Sequence, residues 1–193
     1  MGIRELATSL GYVGEWVDLN FVLDLPLAEA KLSELERWAG EKSSGYLVVT
    51  WAGLPPPEWR EAHALLANLY ELEFPPDARE PSPWTADPLE HWLRGQIKEG
   101  GGLVTTLIVD VVGAPAALSR VFVSGPPHEW AFEAATTVLS AHRGHRLSAL
   151  AKVANLRRLG HDFPQTRALH ADVAVYDEAL WAVNDRIGFR IRA

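Results

Sequence analysis

Apolar positions along the chain change their period several times, and each change predicts an element. Residues 45–51, GYLVVTW, form a short apolar run that GLPPP stops, the pattern of a buried strand. From Pro57 to Leu72 the apolar positions Ala62, Leu65, Leu66 and Leu69 recur at helical spacing, with Pro57 in the first turn. A Pro-rich loop, 73–84, leads to a second helix over 85–100, with Thr85 or Asp87 as its cap and Pro88 in its first turn. Three segments rich in Val, Thr and aromatics follow, 103–113, 117–125 and 130–139, separated by Gly-Pro turns; they predict an antiparallel meander. A helix over 144–160 places Leu147, Leu150, Ala151 and Ala154 on one face. Then come a strand over 166–175, a helix over 177–188, and a last strand from Phe189. Upstream, residues 15–24 alternate Trp16, Asp18, Asn20 and Val22 against Val17, Leu19, Phe21 and Leu23, which predicts a half-buried strand. A helix over 27–40 and the linker EKSSG connect it to the rest. This order predicts an α+β fold built on one sheet.

Composition narrows the class. The chain has 193 residues, 48% of them hydrophobic and eight of them Trp, enough for one domain with an appendage and a sizeable core. It has no Cys, which excludes disulfides, thiolate metal sites and Cys nucleophiles and suits a reducing compartment. No 18-residue apolar run offers a membrane span, and the first 30 residues lack the pattern of a signal peptide. With a net charge of −7, nucleic acid is disfavoured as the main partner. Neither a Gly-x-Ser-x-Gly elbow nor a His-x-x-x-His metal spacing occurs, so no metal is expected. The expectation is a cytoplasmic protein.

The charge is unevenly spread. From Ala134 to His161 there is no Asp or Glu, although the chain carries 25 acidic against 18 basic residues. At the middle of this stretch lies HRGHRLS, residues 142–148, between an apolar strand and a helix. A helix starting after Gly144 leaves its first N–H groups without helical partners, and its dipole adds to their pull on an anion. The N–H groups of His145 through Ser148, with Arg143 and Arg146, therefore form a candidate polyanion site, to which Lys152, Arg157 or Arg158 could add charge.

The stretch HRGHRLSALAKVANLRRL and the terminal AVNDRIGF, in this order of elements, resemble the GCN5-related N-acetyltransferases (GNAT), and among them the C-terminal domain of actinobacterial tandem proteins. The resemblance covers residues 45–193. It implies a three-layer α/β/α arrangement: a mixed, mostly antiparallel sheet with a splayed central pair and helices on both faces. It also implies acetyl-CoA as co-substrate. The pyrophosphate would sit on Arg143, Gly144, His145, Arg146, Leu147 and Ser148, and the pantetheine arm along Val138, Leu139 and Ser140. Asp177 and Asn184 would complete the cofactor side. In the family's motif, Arg146 and Ser148 stand where small residues are usual.

Transfer to an amine needs a base for the ammonium proton and donors for the oxyanion. By the resemblance, Glu133 is the candidate catalytic base; strict alternation would group it with Ala135 and Thr137, apart from Ala134, Thr136 and Val138. Its neighbours Phe132 and Ala134 suggest desolvation, which raises a carboxylate pKa. The family's general acid is a Tyr at the place of Asn184. Relatives often carry an acid at the place of Ala135, and close relatives Asn at Val173 and Asp177. The function expected is N-acetylation of a small-molecule amine by direct attack in a ternary complex. Glu58, Glu61 and Glu71 on the first long helix suit a cationic acceptor. The alternative is a degenerate acyl-CoA-binding or protein-interaction module without catalysis. Residues 1–44 read as an N-terminal extension that resembles the tail of a preceding acetyltransferase domain, since LATSLGY echoes VNDRIGF. Its strand is expected to take the place of the family's last strand, within its own chain or by exchange in a homodimer.

Overall fold

The computed structural model describes residues 18–72 and 83–192. In chain order its elements are β1 (Asp18–Asp24), α1 (Glu29–Gly40), β2 (Tyr46–Ala52), α2 (Arg60–Leu72), α3 (Ala86–Gln96), β3 (Gly102–Asp110), β4 (Pro115–Val123), β5 (Trp130–Val138), α4 (Leu147–Asp162), β6 (Ala168–Ala174), α5 (Glu178–Ile187) and β7 (Arg190–Ile191). The strands form one sheet in the order β2-β3-β4-β5-β6-β1-β7. Every neighbouring pair is antiparallel except β5 and β6, which run parallel.

The apolar pattern decides which face each helix covers. Leu66, Leu89 and Leu93 put α2 and α3 against Trp51, Leu103, Leu107 and Leu118 on one face. On the other face, Leu35 of α1, Val153, Leu156 and Leu159 of α4, and Ile187 of α5 close over Val104, Val121, Leu169 and Val173. The result is the α+β, three-layer architecture with helices on both faces.

Local chemistry moves several boundaries. Gly144 and Arg146 both take left-handed φ values, +85° and +55°, so the chain turns twice before helical geometry sets in. Consequently α4 starts at Leu147 rather than Gly144. The Asp110 carboxylate accepts from the N–H groups of Val112 and Ala114, ending β3 before the predicted limit. The helix predicted from Pro57 divides into a 3₁₀ turn, Pro57–Trp59, and α2.

The N-terminal strand is built into the sheet. β1 pairs with β6 along seven residues, from Asp18↔Ala174 to Asp24↔Ala168, and with β7 at Phe21↔Ile191 and Val22↔Arg190. Both pairings lie within the one chain. Phe21, Val22 and Leu23 are buried, and the Phe21 ring meets Trp181 of α5 edge-on at 6.0 Å. Residues 15–17 of the predicted strand, the LATSLGY segment and residues 73–82 of the Pro-rich loop lie outside the described residues.

Two irregularities shape the middle of the sheet. The β4–β5 register passes from Arg120↔Ala135 to Val121↔Glu133, leaving Ala134 as the extra residue of a β-bulge. On its other side β5 pairs with β6 only from Trp130↔Ala168 to Glu133↔Ala171. Past that point the two strands part, which is the splayed central pair.

Candidate active site

Where β5 and β6 separate, a cavity of about 810 Å³ opens. Glu133, Thr136, Thr137 and Val138 of β5 form one wall, and Asp172, Val173 and Ala174 of β6 the other. Arg143, Gly144, Arg146, Leu147 and Ser148 close one end, Tyr70 of α2 reaches in, and α5 contributes Leu180 and Val183. Beyond Glu133, β5 no longer pairs with β6, and the gap between the two strands forms the cavity. The first α4 N–H groups sit at the same cavity, because the helical ladder there opens with the Leu150 N–H donating to the Arg146 carbonyl.

Of the residues read as cofactor-binding, Val138, Arg143, Gly144, Arg146, Leu147, Ser148 and Asp177 line this cavity. Leu139, Ser140, His145 and Asn184 are not among its lining residues. The Leu139 N–H is taken by the Ala116 carbonyl, and its side chain packs beside Leu107 and Leu118. Ser140 and Leu139 accept through their carbonyls from the N–H groups of Arg143 and His142, tightening the turn. His145 meets the Lys42 carbonyl at 3.1 Å and the Tyr46 ring, while His142 Nδ1 lies 3.0 Å from the Tyr46 hydroxyl. The Asp177 carboxylate caps α5 by accepting from the Leu180 N–H at 2.9 Å.

Glu133 is buried, and its surroundings differ from those the strand pattern predicts. Lys152 of α4 places its ammonium 2.5 Å from Glu133 Oε1, and the same ammonium donates to Asn184 Oδ1 at 2.8 Å. Thr136 donates to Glu133 Oε1 at 2.7 Å. Strict alternation puts Thr136 on the opposite face from Glu133; the extra residue at Ala134 brings them to one face, away from Ala135. Among the described residues Glu133 Oε2 has no hydrogen bond, and the residue lines the cavity. Lys152 is therefore not at the phosphate end. It is 3% exposed, lies 5.6 Å from the Phe189 ring centroid, and belongs to a polar stripe Ser148–Lys152–Asn155 at helical spacing. That spacing was the signal available in the sequence. Asn155 continues the stripe by accepting from Thr106 and donating to Ser119.

The acid-free segment finds its counter-charges on α1. Arg146 donates to the Trp38 carbonyl and to Glu41, the latter at 2.9 Å, and its guanidinium lies over the Trp38 ring at 4.6 Å. Arg157 pairs with Glu36 and Glu29, which hold its pKa above the usual range. Arg186 of α5 pairs with Glu34, and Arg158 with Asp162 of its own helix. Of the cations read as phosphate ligands, Arg143 and Arg146 line the cavity; Arg146 is engaged by Glu41 and the Trp38 carbonyl, and Arg143 has its Nε 3.4 Å from the Val138 carbonyl. Glu58, Glu61 and Glu71 are exposed and do not line the cavity. Among the described residues there is no group of three or more metal-ligating side chains, and no helix is long and apolar enough to cross a membrane.

Splayed parallel strands, a bulged β5 and a helix N-terminus at the gap define the GNAT acetyltransferase fold, and solved structures agree. A tandem GNAT protein from the clavulanic acid biosynthesis pathway matches with TM-score 0.69 and 22% identity, covering 98% of this chain and 55% of that one. A GCN5-related N-acetyltransferase from Sphaerobacter thermophilus gives 0.62 and 16%, covering 98% and 52%. AAC(6')-Iy, solved with the bisubstrate analogue CoA-S-monomethyl-acetylneamine, gives 0.52 and 12%, covering 74% and 91%. The chain thus spans about half the length of the first two. No protein-family model matches the chain, and no curated protein matches it in sequence.

Proposed function

We propose that the chain binds acetyl-CoA in the cleft between β5 and β6 and transfers the acetyl group to the amine of a small molecule. One observation supports this most: β5 and β6 part after Glu133, and the gap between them runs toward the α4 N-terminus. An extended amide-bearing arm fits the first, and a pyrophosphate fits the second. The residues suited to hold it are Thr136 through Val138 along the gap, and Arg143, Gly144, Leu147 and Ser148 at the phosphates. Acetyl-CoA supplies the activated thioester. The proton acceptor in this reading is Glu133, through its Oε2, while Lys152 and Thr136 occupy Oε1 and hold the carboxylate in place. The bisubstrate analogue bound to AAC(6')-Iy, an acetylneamine joined to CoA, is in keeping with a small amine acceptor.

A second reading has its own observation. Lys152 already neutralises Glu133, and Asn184 stands where the family's acid is expected, which suits an acyl-CoA-binding module that does not turn over. Thermal shift with acetyl-CoA, followed by thiol release with a panel of amines, separates the two. Stabilisation with thiol release supports the transferase, and stabilisation without it supports the module. Absence of both removes both readings.

A further inference from the structure

The α2 side of the sheet carries a buried polar row that acetyl transfer leaves unused. Trp51 of β2, Thr105 of β3 and Arg120 of β4 are successive register partners, so their side chains share one face. His63 of α2 lies against them, its ring 5.8 Å from that of Trp51. All four are buried, His63 and Thr105 at 0% exposure and Arg120 at 3%. Even so, Trp51 Nε1, Thr105 Oγ1, Arg120 Nε and Nη1, and both His63 ring nitrogens have no hydrogen-bond partner among the described residues. Folded proteins leave few such atoms, and their concentration on four adjacent residues calls for a partner.

The row's chemistry says which partner. The Arg120 guanidinium rests on the rings of Trp92 and Phe122, at 5.2 and 5.7 Å. Among the described residues it forms no ion pair with a carboxylate, and burial holds its pKa down at about 10 although the Glu71 charge favours its charged form. Its register partner on β5, Ala135, offers a methyl group. His63 is neutral, because burial and then the Arg120 charge hold its pKa at about 3. The set is thus rich in donors, singly positive and buried, which matches a small group that only accepts and is negative. Tyr70 on the cleft wall is joined there by Phe132, the register partner of the Phe122 ring on which Arg120 rests; the four row residues themselves are not among the cleft's lining residues.

We propose that Arg120, Thr105, Trp51 and His63 form a carboxylate-binding subsite beside the acceptor end of the cleft. The acceptor then carries a carboxylate as well as an amine. The second statement rests on the acetyl-transfer reading; the first does not. A row that holds only internal water is the competing account.

Labelled protein titrated with acetate, with acetamide as control, tests the subsite without any turnover. A saturable shift of the Trp51 indole N–H with acetate alone is expected, and its loss in Arg120→Met. In carboxylate-free buffer Arg120→Met is expected to unfold at higher urea than wild type, because it removes an unpaired buried charge; a purely structural arginine predicts the reverse. Should Arg120→Met not fold, Thr105→Val keeps the shape and removes one donor, and acetate affinity should fall about 5- to 10-fold. No saturable shift, or an equal response to acetamide, overturns the subsite. Thiol release with amino acids against their amides then tests the acceptor, with kcat/KM about 10- to 100-fold higher for the acids. An acetate response with no acetylation of any amine retains the subsite and removes the transferase reading. Acetylation with no acetate response and no preference for acids removes the subsite alone.

Discussion

His63 ties one side chain to the stability of the whole chain. Its pKa is about 3 in the folded state, against an ordinary 6.5, chiefly because burial disfavours the imidazolium. A base whose folded pKa is depressed keeps its full contribution above pH 6.5, and the contribution is lost as the pH falls toward 3. The slope is about 1.4 kcal/mol per pH unit, so wild type should lose about 2 kcal/mol between about pH 6.5 and 5 from this residue. Urea unfolding of wild type and His63→Leu at both pH values reads the difference, and parallel pH dependences would show that His63 does not titrate this way. Glu133 and Lys152 make a second residue-scale case. Glu133→Gln leaves a buried ammonium without its counter-charge and should cost about 3–5 kcal/mol; Glu133→Gln with Lys152→Met should recover most of it. If the chain is catalytic, Glu133→Gln also lowers turnover about 10²- to 10⁴-fold with little change in acetyl-CoA affinity. Glu133 was legible in the sequence as the carboxylate of its strand. Its partners were not, because Lys152 arrives from a helix 19 residues on and Thr136 by way of a bulge.

Among the elements, β1 has the most to say. Full burial of Phe21, Val22 and Leu23 is worth about 1.5–3 kcal/mol per side chain, a sum comparable to the net stability of a domain. Deleting residues 1–26 should therefore give an aggregating or loosely folded product, with β6 and β7 left as bare edges. A soluble, equally stable monomer would mean that β1 is dispensable. Phe21→Ala is the milder version, expected to cost about 3–5 kcal/mol by urea unfolding. The alternation of β1 was legible from Asp18 and Asn20 against Leu19 and Phe21, whereas Val22, on the polar side of that pattern, is buried as well. The start of α4 was not legible, since left-handed φ at Arg146 is rare outside Gly and nothing in HRGHRLS announces it.

For the whole molecule, the uneven charge has an internal solution. The acid-free stretch looked like a site for a polyanion, yet Arg146 and Arg157 are taken up by Glu41, Glu36 and Glu29 of α1 and its C-terminal end, and Arg186 by Glu34. Sequence alone gives the sum of charges near a segment, and which partner neutralises each depends on where the sheet places α1. One consequence concerns variants: Arg146→Glu should loosen α1, whereas Ser148→Glu should repel a phosphate at the α4 N-terminus and leave the pairs on α1 intact. Acetyl-CoA affinity should fall at least about tenfold for Ser148→Glu, measured by calorimetry at low salt, as for a charge placed against a charge-assisted site. The central claim is that the cleft between β5 and β6, ending at α4, is where acetyl-CoA binds. Titration of labelled protein with acetyl-CoA, followed through backbone amide signals, tests it most directly. The account predicts saturable shifts confined to residues 134–149 and the facing ends of β6 and α5; no shifts, or shifts centred elsewhere, would contradict it.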